Sequence, residues 1–125
     1  MVTIVEAGEE EKKAWCRRHG LPEDSRALSA VCGGKAAGYV LYALGEGRVT
    51  LLWAEADDRV LQEALVRAAM NAGYNAGAAE AVGVRPPEEL RTLLEALRFA
   101  REEDGTWRVS LAEFFSRSCR GQAGG

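Results

Sequence analysis

The residues best suited by type and spacing to do chemistry lie between Leu51 and Leu65, LLWAEADDRVLQEAL. An apolar strand runs into a helix there, and Glu55, Asp57, Asp58 and Arg59 gather at the handover. In an α/β protein such a junction is the usual ligand site, because free amide N–H groups and the helix dipole point outward from it. A phosphate needs backbone it can approach closely, commonly through glycine, in a positive or neutral surround. This junction offers three carboxylates, one arginine and no glycine.

A second cation, Arg85, follows the apolar segment Ala78–Val84. Ligands of α/β sheets sit beyond the C-terminal ends of parallel strands. Arg59 and Arg85 could therefore clamp a carboxylate or a single phosphate between two strand ends, each giving a charge-assisted hydrogen bond. The competing reading pairs both with Asp57, Glu55 or Glu88 as structural ions. Trp53 alternates with Leu51 and Glu55, so it either walls a ligand cleft or packs under a helix. Tyr39 and Tyr42 fall on opposite faces of one strand, and Tyr74 and Asn75 read as a loop that could touch a ligand from the side.

Other chemistries find little support. The single histidine, His19, precedes Gly20 at an expected helix end, where an imidazole suits the local dipole. One histidine, and cysteines only at Cys16, Cys32 and Cys119 with no CxxC spacing, argue against zinc and against a Cys–His nucleophile. The odd cysteine count reads as reduced thiols of a cytoplasmic protein. No serine–histidine pair, glycine-rich phosphate loop or metal cluster is visible.

The pattern of apolar and polar residues sets the secondary structure around these side chains. A chain of 125 residues, 47% apolar and 28% charged, builds one domain with one real core. Its net charge of −3 argues weakly against nucleic acid as a partner. No apolar run approaches a membrane span, and MVTIVEAGEEEKK lacks the order of a signal peptide. Val2–Val5 reads as a strand and Glu9 to Arg18 as a helix with an acidic start and a basic end. Ala27–Cys32, Lys35–Leu44 and Arg48–Ala56 form an antiparallel meander through Gly33-Gly34 and Gly45-Glu46-Gly47.

Asp57 or Asp58 caps the next helix, with Val60, Leu61, Ala64, Leu65, Ala68 and Ala69 on the buried face and Gly73 as the stop. Ala78–Val84 is a strand. Pro86 and Pro87 open a helix striped with Leu90, Leu93, Leu94 and Leu97. Asp104-Gly105 joins Phe99–Arg101 to Thr106–Leu111. Residues 1–115 make the domain and Ser116–Gly125 a flexible tail. The order is β-α-β-β-β-α-β-α-β-β, an α/β (α+β) mixed sheet, mostly antiparallel with one central parallel pair, Arg48–Ala56 beside Ala78–Val84.

This order resembles the GCN5-related N-acetyltransferase (GNAT) superfamily over about Val2 to Phe115. Two local patterns carry the resemblance: the long third strand feeding ALVRAAMNAG, and LLEALRF followed by EEDGTWRVSL, with Leu97-Arg98-Phe99 on the family's Leu-Gly-Phe positions. The resemblance implies acetyl-CoA as cofactor, held along the backbone of Leu52, Trp53 and Ala54 and at the helix start by Arg59, Val60, Leu61 and Gln62, with no metal. It also implies an amine acceptor and a carboxylate base, a role for which Glu55 is the candidate.

The departures from the family are specific. Val60-Leu61-Gln62 stands where the pyrophosphate loop carries glycines, so side chains cover the amides. Pro87 and Leu94 stand where the family tends to hold an asparagine and the tyrosine that protonates the leaving thiolate. Two functions follow. One is a divergent acyltransferase with weakened or lost machinery. The other is a non-catalytic GNAT-fold module that binds a small anionic ligand or a protein partner, as a homodimer if the hairpin Arg101–Leu111 presents Trp107 and Val109 at a sheet edge.

Overall fold

A computed structural model describes residues 1–116. Apart from Ser116, the expected tail and Cys119 lie outside the described residues. The elements run β1 (Val2–Glu6), α1 (Glu9–Arg18), β2 (Arg26–Cys32), β3 (Lys35–Gly45), β4 (Arg48–Ala56), α2 (Arg59–Asn75), β5 (Glu80–Val84), α3 (Glu88–Ala96), β6 (Ala100–Arg101) and β7 (Thr106–Ser110). The strands form one sheet in the order β1-β2-β3-β4-β5-β7-β6, with β4 and β5 as its parallel pair. The expected order and the central crossover are both present.

The two faces of the sheet carry separate apolar clusters. On one, Leu65, Val66, Ala69 and Met70 of α2 and Leu90, Leu93 and Leu94 of α3 pack against Val40, Val49, Leu51 and Ala81. Burying a side chain of this size contributes about 1.5–3 kcal/mol, so these two helices supply much of the core. On the other face, Trp15 and Cys16 of α1 meet Tyr39 and Leu41. Tyr42 joins the first cluster, so Tyr39 and Tyr42 do point to opposite faces.

Several expectations are corrected. The buried face of α2 is rotated from the one read in the sequence: Val60 is 81% exposed, and the apolar run continues through Met70 to Gly73. Gly73 does not stop the helix. A Cβ there would lie 2.8 Å from the Val49 Cβ, so glycine lets α2 press onto β4. The helix runs on to Asn75 with Ala76 as C-cap, and Gly77, φ +95°, turns the chain after it, with the Ala78 N–H donating to the Gly73 carbonyl. Tyr74 and Asn75 are thus its last turn rather than a loop, and Tyr74 stacks on Phe115. β5 starts at Glu80, two residues late, and residues 111–116 are helical where Leu111 was read as strand.

The hairpin does end the sheet, but its expected contact residues are corrected. β7 is held between β5 and β6, and Trp107 and Val109 are buried in the core. The true edge on that side is β6, a strand of two residues. Finally, the pairing of β3 with β4 slips by one residue between Leu41 and Tyr42, which leaves Leu52 without a partner. This bulge places Leu51 in the α2 cluster and Trp53 against the α1 cluster, not on one face as strict alternation requires.

Candidate functional site

β4 and β5 pair only from Arg48 to Thr50, opposite Glu80 to Val82. Past Thr50 the two strands diverge, and the side of β4 toward β5 has no strand partner. The divergence opens into a cleft of about 610 Å³ between the end of β4, the start of α2 and the first turns of α3. Among the described residues Glu55, Asp57, Asp58, Glu88 and Glu89 line it, against one cation, Arg59.

The helix start inside this cleft is already occupied. Asp58 is the N-cap of α2, and its Oδ1 accepts the Leu61 N–H at 2.8 Å. That bond satisfies one of the amides an anion would otherwise use. Gln62, one turn on, donates its Nε2 to the Ala54 carbonyl at 2.9 Å, which ties α2 to the free side of β4. Of the residues expected to hold a cofactor, Trp53, Ala54, Arg59 and Gln62 line the cleft together with Glu55. Leu52 and Leu61 instead pack as half-buried apolar side chains on opposite faces of the sheet, and Val60 points to solvent.

On the α1 face the cleft borders a network that sequence reasoning did not assemble. α1 ends at His19, held as its C-cap because Gly20 takes φ +66° and the Leu21 N–H donates to the Cys16 carbonyl at 2.8 Å. His19 Nε2 lies 2.7 Å from the Tyr39 hydroxyl, and its ring stacks on Trp53 at 3.9 Å between centroids. Tyr39 stacks on Trp15 at 4.2 Å and accepts a long hydrogen bond from Arg18. The Trp53 indole N–H donates to Glu55 Oε1 at 3.3 Å, so the candidate base is fixed from its own strand.

Burial holds the His19 imidazole below its ordinary value of 6.5, opposed by the charge of Glu55. Burial first, then the Glu55 charge, raises the Tyr39 phenol above 10.0. His19 therefore stays neutral near pH 7, able to accept the tyrosine O–H at Nε2.

Arg85 is elsewhere. It lines a separate hollow with Arg91 and Arg101, while Arg59 lines the cleft. Leu94, which the resemblance sets against a thiolate-protonating tyrosine, is fully buried in the core, and Pro87 is the N-cap of α3. Arg98, on the family's glycine position, has φ +66°, and the Phe99 N–H donates to the Leu94 carbonyl. The backbone takes a glycine-like conformation there although the residue is arginine. Among the described residues no group of three or more His, Cys, Asp or Glu is placed to hold a metal ion.

The divergence of β4 from β5 and the helix that follows decide the architecture. The chain has the GNAT fold. A chain of the KacTA–DNA complex matches with a TM-score of 0.71 at 15% identity, over 96% of this chain and 99% of that one. The ribosomal-protein-S18-alanine N-acetyltransferase of Escherichia coli matches at 0.66 and 17% identity, over 89% and 94%. PaiA N-acetyltransferase of Thermoplasma acidophilum, solved with coenzyme A, matches at 0.67 and 11% identity, over 88% and 99%. No protein-family model and no curated protein matches the sequence.

Coenzyme A fits this GNAT cleft poorly. The helix start that would face its diphosphate is capped by Asp58 and flanked by Asp57, with Arg59 the one offsetting charge that lines the cleft among the described residues. A carboxylate 4–6 Å from a diphosphate costs on the order of 1 kcal/mol or more in a surface dielectric.

Proposed function

We propose that this chain is a non-catalytic GNAT-fold binding module, one that has no conventional acetyl transfer from acetyl-CoA. The observation that carries the reading is the Asp58 carboxylate on the Leu61 amide, inside a cleft edged by four further carboxylates. The buried Leu94 supports it independently, since a leucine has no proton to give a leaving thiolate. The module's ligand is a small anion or a protein partner. A GNAT-fold neighbour solved with DNA keeps nucleic acid among the partners to test, against a net charge of −3. The free cysteines Cys16 and Cys32 suit a reduced, cytoplasmic setting.

A second reading, residual acyl transfer with Glu55 as base, is favoured by the stretch of β4 past Thr50 that β5 leaves unpaired. Turnover separates the two. With acetyl-CoA and a panel of polyamines, amino acids and peptides, the binding-module reading expects no thiol release above background. Release that disappears in Glu55→Gln supports residual transfer and removes the first reading.

A further inference from the structure

Arg85, Arg91 and Arg101 come from three different elements and line one hollow of about 310 Å³. Arg85 sits in the turn between β5 and α3, Arg91 on the first turn of α3, and Arg101 on β6. Among the described residues none of the three makes a salt bridge. The Arg101 guanidinium lies over the Trp107 ring, 5.8 Å from its centroid, so the buried indole forms an aromatic floor under that charge.

Arg85 is positioned by its backbone. Its φ is +43°, a conformation that L side chains rarely adopt and that persists where the surroundings impose it. Its N–H donates to the Gly105 carbonyl at 3.1 Å. A Cβ on Gly105 would lie 3.2 Å from the Arg85 Cγ, so the bare glycine lets the arginine stem pass at that point. The two acids at the hollow's rim, Glu103 and Asp104, leave a net positive charge against the three arginines. Asp104 is engaged in its own turn, where Oδ1 accepts the Thr106 N–H at 3.0 Å.

Three guanidinium forks lining one hollow suit an oxyanion with three free oxygens better than a planar carboxylate with two. We propose that the hollow between Arg85, Arg91 and Arg101 binds the phosphate group of a small phosphomonoester. This site is distinct from the acidic cleft. The proposal deepens the binding-module reading and rests on it.

The test is an NMR titration that follows the arginine Nε–Hε signals with inorganic phosphate and with phenyl phosphate, at constant ionic strength against chloride. The expected result is a saturable shift confined to Arg85, Arg91 and Arg101, with Arg59 unmoved and a dissociation constant at least tenfold weaker in Arg91→Gln. Arg91 is exposed on its helix, so this variant keeps the fold. Linear, unsaturated shifts at every arginine mean an adventitious ion only and overturn the proposal. So does a DNA duplex that engages these arginines while phenyl phosphate does not. Acetyl-CoA moving the Trp53 indole and Gln62 signals instead would remove the binding-module reading, and is read from different residues.

Discussion

Asp58 has two consequences that a pair of substitutions separates. Its side chain caps α2, so Asp58→Ala should cost about 1 kcal/mol and lower the melting temperature by a few degrees. Asp58→Asn keeps the capping oxygen and removes the charge, and should leave the melting temperature within about a degree of the parent. Equal losses in both variants, measured by thermal unfolding, would mean that charge and not the cap matters there. A cap at Asp57 or Asp58 was legible, because acidic residues precede a helical pattern with no glycine between; the structure assigns it to Asp58.

The His19–Tyr39 pair was not legible. Twenty residues separate them, and only the packing of α1 on the sheet brings them to 2.7 Å. The pair gives stability a pH dependence with a definite sign. The His19 pKa is lower in the folded chain than its ordinary 6.5, so its contribution is present above 6.5 and fades as pH falls toward the folded value. Urea unfolding between pH 8 and 5 should show His19→Gln losing less stability on acidification than the parent. Parallel curves would contradict the assignment.

Among the elements, α3 ends in a turn built for glycine. Arg98 occupies it at φ +66°, and Arg98→Gly should stabilise the protein by about 0.5–1 kcal/mol, the cost of left-handed backbone less glycine's added chain entropy. A destabilised variant in denaturant melts would show that the arginine side chain compensates for its backbone. Gly38 is the opposite case. A Cβ there would lie 2.6 Å from the Glu55 carbonyl and 2.7 Å from the Ala56 Cβ, so Gly38→Ala should cost about 1–3 kcal/mol and displace the end of β4 that carries Glu55.

The meander and both long helices could be read from glycine turns and apolar spacing, since local chemistry sets them. The register could be read only as far as the Gly45-Glu46-Gly47 turn carries it. Counted from that turn without a slip, Tyr39 faces Ala54; the bulge at Leu52 brings it opposite Glu55. One extra residue, invisible to any alternation pattern, thus decides which side chains share the α1 face of the cleft. Gly73 misled for a related reason: the sequence shows a helix breaker, whereas the fold uses its missing side chain against Val49.

At the scale of the molecule, the seven-stranded sheet ends on β1 at one side and on the two-residue β6 at the other. With Trp107 and Val109 buried, the hairpin cannot offer them to a second copy, and light scattering at tens of micromolar should give the monomer mass. Twice that mass, lost on substituting Val2 and Val5 of the exposed β1 edge by lysine, would move the association to that edge. The fold class was legible because element order alone nearly specifies it. The separation of Arg59 from Arg85 was not, since it depends on where the two strand ends diverge.

On the proposed reading, the chain's own carboxylates close the cleft of this GNAT fold to a diphosphate. Calorimetric titration of the purified protein with acetyl-CoA and with desulfo-CoA tests it most directly. No detectable binding of either compound is expected up to millimolar concentration. Low-micromolar binding of both would contradict it, and would show that the free stretch of β4 holds the cofactor without help from the helix start.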